Sequence, residues 1–287
     1  MHQQKLLWFT MVGILFATAC RISVNLPDGT LKTGPTEVEE IQIPLPNGND
    51  PVHLKLAIGT GELSINPGAT VALVQGKITY NVKDFKPQVL TQGNTIIIQQ
   101  GEAGFKGLPD FPGEFNNVWD LKLGQKPIDL AINAGATDSQ LELGGLSLLG
   151  LTITQGASNY KLSFLQPNLV EMTGLTVSTG AGNLTLAGLA NAHTSRIDFK
   201  SGFGTSTLDF TGNLQSDLFV YIDGAAGNIH IIVPQGTTAD VNIEGALFNV
   251  IPTGTWEKSD HGYTIPGEGH KISISVTMAA GILELEN

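Results

Sequence analysis

From residue 36 onward, apolar and polar residues alternate in short runs that come in pairs. Each pair is joined by glycine, alanine and other small residues. The unit reads Leu54 to Ile58, then Gly59-Thr60-Gly61, then Leu63-Ser64-Ile65. It returns at 130–143, 151–164, 175–188, 197–210, 220–233 and 274–287. Strict alternation places one set of side chains inward and the other outward along a strand. The predicted inward sets are Leu151/Ile153/Leu162/Phe164, Leu175/Val177/Leu184/Leu186 and Ile197/Phe199/Leu208/Phe210. Outward positions, such as Thr185 and Asp209, carry mostly Thr, Ser, Asn, Asp and Lys. The short glycine segments read as β-turns whose glycines take positive φ.

Gly182, Gly204 and Gly227 are spaced 22 and 23 residues apart, and Gly135 and Gly156 are 21 apart. A repeat of this length points to a solenoid or array. One unit buries too few apolar side chains to offset the entropy of ordering its backbone, so units must stack and share hydrogen-bond ladders. The expected fold is all-β: a right-handed β-solenoid with coils of about 22 residues. The alternative is an antiparallel β-sandwich of hairpin-like repeats.

Two stretches break the rhythm. The repeat lapses between residues 81 and 127, and a turn-rich segment from Ile251 to His270 interrupts it again. This second segment holds Trp256, His261 and Tyr263 among prolines and glycines. Loops on rigid scaffolds often carry binding, and exposed Trp and Tyr are favoured anchors. Those three residues are therefore the candidate binding loop; the competing reading folds Trp256 back over the solenoid.

The first residues form a separate unit. Lys5 precedes an uncharged apolar run that ends Ala17-Thr18-Ala19-Cys20, too short to span a bilayer as a helix. Cys20 is the only cysteine in the chain. The segment resembles a bacterial lipobox, which implies lipidation at Cys20 and a lipid-anchored, extracytoplasmic protein at the cell surface or on the periplasmic face. Ala17 departs from the family, which most often has Leu there. The organisation expected is a signal peptide at 1–19, a flexible tether at 20–35, an N-terminal β domain at 36–125 and a repeat domain at 126–287.

A second resemblance covers nearly all of the remaining chain. The segments LAIGTGELSINPGAT (56–70), ITYNVKDFKPQV (78–89) and NVWDLKLG (117–124) resemble the N-terminal toast-rack domain, a bacterial family of unknown function. Residues 128–287 resemble the adhesin-like β-solenoid regions that accompany it. These motifs are structural glycines and strand pairs, so they imply a fold and, through it, a binding or adhesion role.

Charge and chemistry narrow the function. The formal net charge of −11 argues against nucleic-acid binding and against electrostatic attachment to anionic lipid. The lone cysteine removes any disulfide framework or multi-cysteine metal site. There is no nucleophile elbow, phosphate-binding loop or zinc-protease motif, and no cofactor is expected. His53, His193, His230, His261 and His270 form no metal-ligand spacing, and His230 should face solvent. Only His261 and His270, with Asp260 and Glu268, share a loop. Asp198, Asp209, Asp217 and Asp223 sit in neighbouring repeats, and a glycosidase or polysaccharide lyase would need two such carboxyls to converge. The expectation is a non-catalytic envelope lipoprotein acting in binding, adhesion or envelope structure. Its partners would be the membrane, through Cys20, and a glycan or envelope protein. A carbohydrate-active β-helix enzyme is the alternative.

Overall fold

The computed structural model describes residues 32–48, 50–101 and 115–287. Cys20, the signal segment and most of the tether lie outside the described residues. The tether reading also ends too late, because strand β1 begins at Thr33.

The described chain forms one sheet of 15 strands. These are β1 (Thr33–Pro44), β2 (Val52–Ala69), β3 (Ala72–Val82), β4 (Pro87–Gln92) and β5 (Thr95–Gln100). Next come β6 (Asn117–Gly124), β7 (Ile128–Glu142), β8 (Leu148–Ser163), β9 (Leu175–Ala187) and β10 (Arg196–Asp209). The remainder are β11 (Leu218–Ile232), β12 (Thr237–Thr253), β13 (Glu257–Ser259), β14 (Gly262–Ile265) and β15 (Glu268–Glu286). Strands β2 and β7 to β11 stack in parallel, one per coil, which is solenoid pairing. Hairpin pairing, and with it the sandwich, is not what joins the repeats.

The predicted inward sets are all in the core, none more than 3 % exposed. Their outward neighbours Thr176, Thr185 and Asp209 retain solvent contact. The segments between strands close a third side of each coil with Leu146, Met172 and Leu189, all buried. Asn168 pins one such return: its Oδ1 accepts from the Leu148 N–H at 2.9 Å and its Nδ2 donates to the Leu148 carbonyl at 2.8 Å.

The small-residue segments are not reversing turns. Each long strand runs through its glycines as one continuous ladder with a bend in the middle, so both arms of a coil pair with the same neighbour. In β9 and β10, for example, the register runs from Leu175↔Ile197 through Gly182↔Gly204 to Leu186↔Leu208. Inward positions step by two along each arm, but from Thr179 to Leu184 the step is odd, so the bend switches the alternation.

Two breaks in the repeat turn out to be caps. Strand β5 pairs with the first arm of β2 and β6 with the second, so the two together occupy one coil position, split at the bend by residues 101–116. Strands β3 and β1 extend the sheet beyond β6, and β4 extends it beyond β5. The charges Glu37, Glu39 and Glu40 on β1 discourage further edge pairing. No seam separates these N-terminal strands from the repeats, since β2 pairs with β7 from Val52↔Ile128 to Ile65↔Leu141. At the other end β15 inserts between β11 and β12. The repeat at 274–287 therefore stacks directly on 220–233, and the chain between them loops outward to form β12, β13 and β14.

Candidate functional site

The 251–270 segment forms this terminal cap. Strands β13 and β14 make an antiparallel hairpin, and β14 pairs with β12 at Val241↔Tyr263 and Asn242↔Gly262. Trp256 and Tyr263 are partly buried and pack against the hydrophobic core. The Trp256 indole nitrogen is buried without a hydrogen-bond partner among the described residues. His261 is exposed, and its backbone carbonyl accepts from Ile243 N–H at 2.9 Å. The three residues proposed from sequence therefore share a hairpin, but the two aromatic rings turn toward the solenoid.

Three of the histidines sit in separate surface pairs with carboxylates, and His193 Nδ1 lies 3.2 Å from the Asn168 carbonyl. His270 lies 3.4 Å from Asp217, His53 3.1 Å from Asp129, and His230, which is partly exposed, 2.9 Å from Glu286. Among the described residues no group of three or more His, Cys, Asp or Glu side chains is placed to hold a metal ion. The four acids do not converge either. Asp198 accepts from Arg196 Nε and Nη2, each at 2.7 Å, and Asp209 accepts from Thr211 N–H. Asp217 accepts from Lys271 N–H, and that bond, with His270 beside it, holds its carboxyl below the usual range. Asp223 lies across from Lys200 on the neighbouring strand.

What the fold does bring together is a line of small residues along the bend. Thr60, Ala136, Ala157 and Ala181 stack in register on successive strands, and the next position is Phe203. Small side chains here leave an open groove of about 560 Å³, with Phe115 at the end nearer the N-terminal cap. One residue class forms its rim. Asn183 Nδ2 donates to Asn159 Oδ1 at 3.1 Å, and Asn159 Nδ2 donates to Asp138 Oδ1 at 3.2 Å. Asp138 is in register with Glu62, so two exposed carboxylates end the chain of amides. A second trough of about 610 Å³ continues from this rim over the outer face of the second arm, past Gln140, Lys161 and Thr185.

Beneath the groove the core is polar. Gln100 Oε1 accepts from Gly59 N–H at 2.8 Å and from Asn117 Nδ2 at 3.1 Å, and Asn117 Oδ1 accepts from the Trp119 indole. The Tyr160 hydroxyl is fully enclosed, and burial pushes its pKa far up, so it stays protonated. The Gln100 and Asn117 amides brace the bend from inside, whereas the Tyr160 hydroxyl has no hydrogen-bond partner among the described residues. The sequence shows the outward polar positions but not that Asp138, Asn159 and Asn183, one coil apart, join into one hydrogen-bonded line.

The family model described as the N-terminal domain of toast_rack, DUF2154, matches residues 32–187, more than half of the chain. The chain belongs to the toast-rack family. The family match spans the N-terminal cap, the split coil and the groove. No curated protein matches the sequence. Among solved structures, a candidate cell adhesion protein from Clostridium sporogenes ATCC 15579 is similar, with 17% identity, a TM-score of 0.48 and coverage of 88% of this chain and 98% of that one. A candidate lipid binding protein from Parabacteroides distasonis ATCC 8503 has 12% identity, a TM-score of 0.41 and coverage of 88% and 98%. A candidate adhesin from Bacteroides fragilis NCTC 9343 has 11% identity, a TM-score of 0.35 and coverage of 88% and 99%. No helix among the described residues is long and apolar enough to cross a membrane.

Proposed function

We propose that this toast-rack protein is a non-catalytic, lipid-anchored module of the cell envelope that binds an extended polar ligand, a glycan or a segment of an envelope protein, along the groove at the bend. The observation that carries this is the hydrogen-bonded line Asn183–Asn159–Asp138 bordering an open groove. Amide and carboxylate side chains fixed on a ladder offer donors and acceptors in set positions, so little entropy is lost when a ligand engages them. Cys20 supplies the anchor, and two acyl chains there would hold the module outside the cytoplasmic membrane.

The enzyme reading has one observation in its favour, the adjacent carboxylates Glu62 and Asp138. Glycoside hydrolysis needs one carboxyl kept protonated by desolvation. Both side chains stand in open solvent, which supports binding instead. The test is binding of the mature protein to isolated envelope fractions, comparing wild type with the Asn159→Ala/Asn183→Ala double variant. Reduced binding by a variant that melts like the parent supports the groove; unchanged binding overturns it. Cys20→Ser should abolish partition into detergent, and retention of that partition would refute the anchor.

A further inference from the structure

The outward face of the first arm carries a feature that the groove does not use. Its outward positions are mostly hydroxyl, amide and charged residues, except on β11. There Phe219 and Tyr221 point outward side by side, 50 % and 43 % exposed. At two residues' separation their Cα atoms lie about 6.6 Å apart. Adjacent half-exposed aromatic rings on an otherwise polar sheet face are a candidate contact surface, since aromatic side chains are favoured anchors.

The surroundings define that partner. Tyr221 stands in a row with Thr176 and Asp198 on one side and Ser275 and Asn242 on the other. Phe219 lies between Arg196 and Ser273. The Arg196 guanidinium sits 4.4 Å from the centre of the Tyr221 ring and is held by both carboxylate oxygens of Asp198. That three-way contact fixes the Tyr221 ring and cancels the Arg196 charge. Lys200 and Asp223 face each other one step along the same face. The cation beside the rings is therefore already paired, while the net charge of −11 repels polyanions.

A surface with two half-exposed aromatic rings, a rim of hydroxyls and its nearest cation already neutralised fits a saccharide, whose C–H face is apolar and whose edge is a band of hydroxyls. We propose that Phe219 and Tyr221 form a stacking platform for a neutral polysaccharide strand, with Arg196 as a positioning residue that holds the Tyr221 ring. This rests on the reading above that the coil exterior binds envelope material, but it uses a different face from the groove.

The test is native electrophoresis of the wild-type protein in gels cast with neutral polysaccharides (a glucan, a glucomannan and a xylan) and, in parallel, with polygalacturonate. Wild type should be retarded by at least one neutral polymer and not by polygalacturonate. Phe219→Ala and Tyr221→Ala should each weaken that retardation about tenfold or more, the loss of one anchor contact. Phe219→Trp should keep it. Both alanine changes are at exposed positions, so melting temperatures check that the fold is intact. Absence of retardation by every neutral polymer, or equal retardation of the alanine variants, overturns the platform. Stronger retardation by polygalacturonate than by neutral polymers overturns it too. If Phe219→Ala still binds envelope fractions while Asn159→Ala/Asn183→Ala does not, the groove stands and the platform falls; the reverse pattern retains the platform alone.

Discussion

A Cβ atom on Gly204 would lie 1.9 Å from the carbonyl oxygen of Gly182, its partner on the adjacent strand. The same contact recurs from Gly227 to Gly204 at 2.1 Å and from Gly281 to Gly227 at 1.8 Å. These glycines also hold φ between 125° and 143°, where a side chain is strained. A second column, Gly135, Gly156, Gly180 and Gly202, runs two residues earlier without positive φ; a Cβ on each would lie 2.2, 2.8, 2.7 and 2.2 Å from the carbonyl oxygen of the glycine one coil before, starting from Gly59. From β9 onward the bend thus depends on backbones approaching more closely than a side chain permits, whereas Thr137 and Ser158 fill the same column on β7 and β8.

Gly204→Ala should therefore destabilise by about 3 kcal/mol or more, through backbone clash and positive φ together. Gly174→Ala is the control, since its nearest neighbour to a built Cβ is 4.0 Å away. That change should move stability by less than about 0.5 kcal/mol. Urea midpoints compare the two, and equal shifts would remove the close-approach argument.

The two faces of the second arm differ in what they tolerate. Leu186 is fully buried, while Thr185 beside it faces the trough. Leu186→Ala should cost about 2–5 kcal/mol through lost burial and an unfilled cavity. Thr185→Ala should cost less than about 0.5 kcal/mol. Thermal unfolding of the pair checks the alternation directly, because a register shifted by one residue would invert the order.

Alternation is the reason the core was legible: at Val177 or Phe199, period two alone fixes which way a side chain points. The bend was not, because a reversing turn and a bend in a continuous strand ask for the same glycines at Gly180 and Gly182. Only the partner separates them, and the partner lies one coil away. The coil made by β5 and β6 was hidden because residues 101–116 interrupt it at that bend. Strand β12 was hidden because β15, later in sequence, takes the place beside β11. The site followed the same rule. Phe219 and Tyr221 are two residues apart on one strand, a local signal, but Arg196 joins them from the preceding coil. Trp256 reads the same from sequence whether it faces solvent or core.

Acid should loosen the C-terminal cap at one identifiable point. The Lys271 ammonium, and after it the Thr264 hydroxyl at 2.6 Å, hold the Asp240 carboxyl below the usual range. A lowered folded-state pKa gives stability that is complete above the ordinary carboxylate value near 3.9 and is lost as pH falls through the lower folded value. The pair is partly exposed, so its contribution is about 0.5 kcal/mol. Asp240→Asn should be less stable than wild type by that amount at pH 7, and the gap should close as pH approaches 2. Urea midpoints measured at both pH values give the result, and a gap that widens in acid would reverse the assignment.

Trp256 decides what the terminal hairpin does. Its ring packs against the core while its indole N–H is buried without a partner among the described residues. A buried donor without an acceptor contributes a desolvation cost, whereas the ring contributes burial. The two can be separated by substitution. Trp256→Ala removes both and should cost about 3 kcal/mol, since the lost packing exceeds the relieved cost. Trp256→Phe keeps most of the ring and discards the donor, so its stability should lie within about 1 kcal/mol of wild type. Binding to envelope fractions should be unchanged in the phenylalanine variant. If instead Trp256→Ala leaves the melting temperature intact and abolishes that binding, the hairpin is a recognition loop and the indole its anchor.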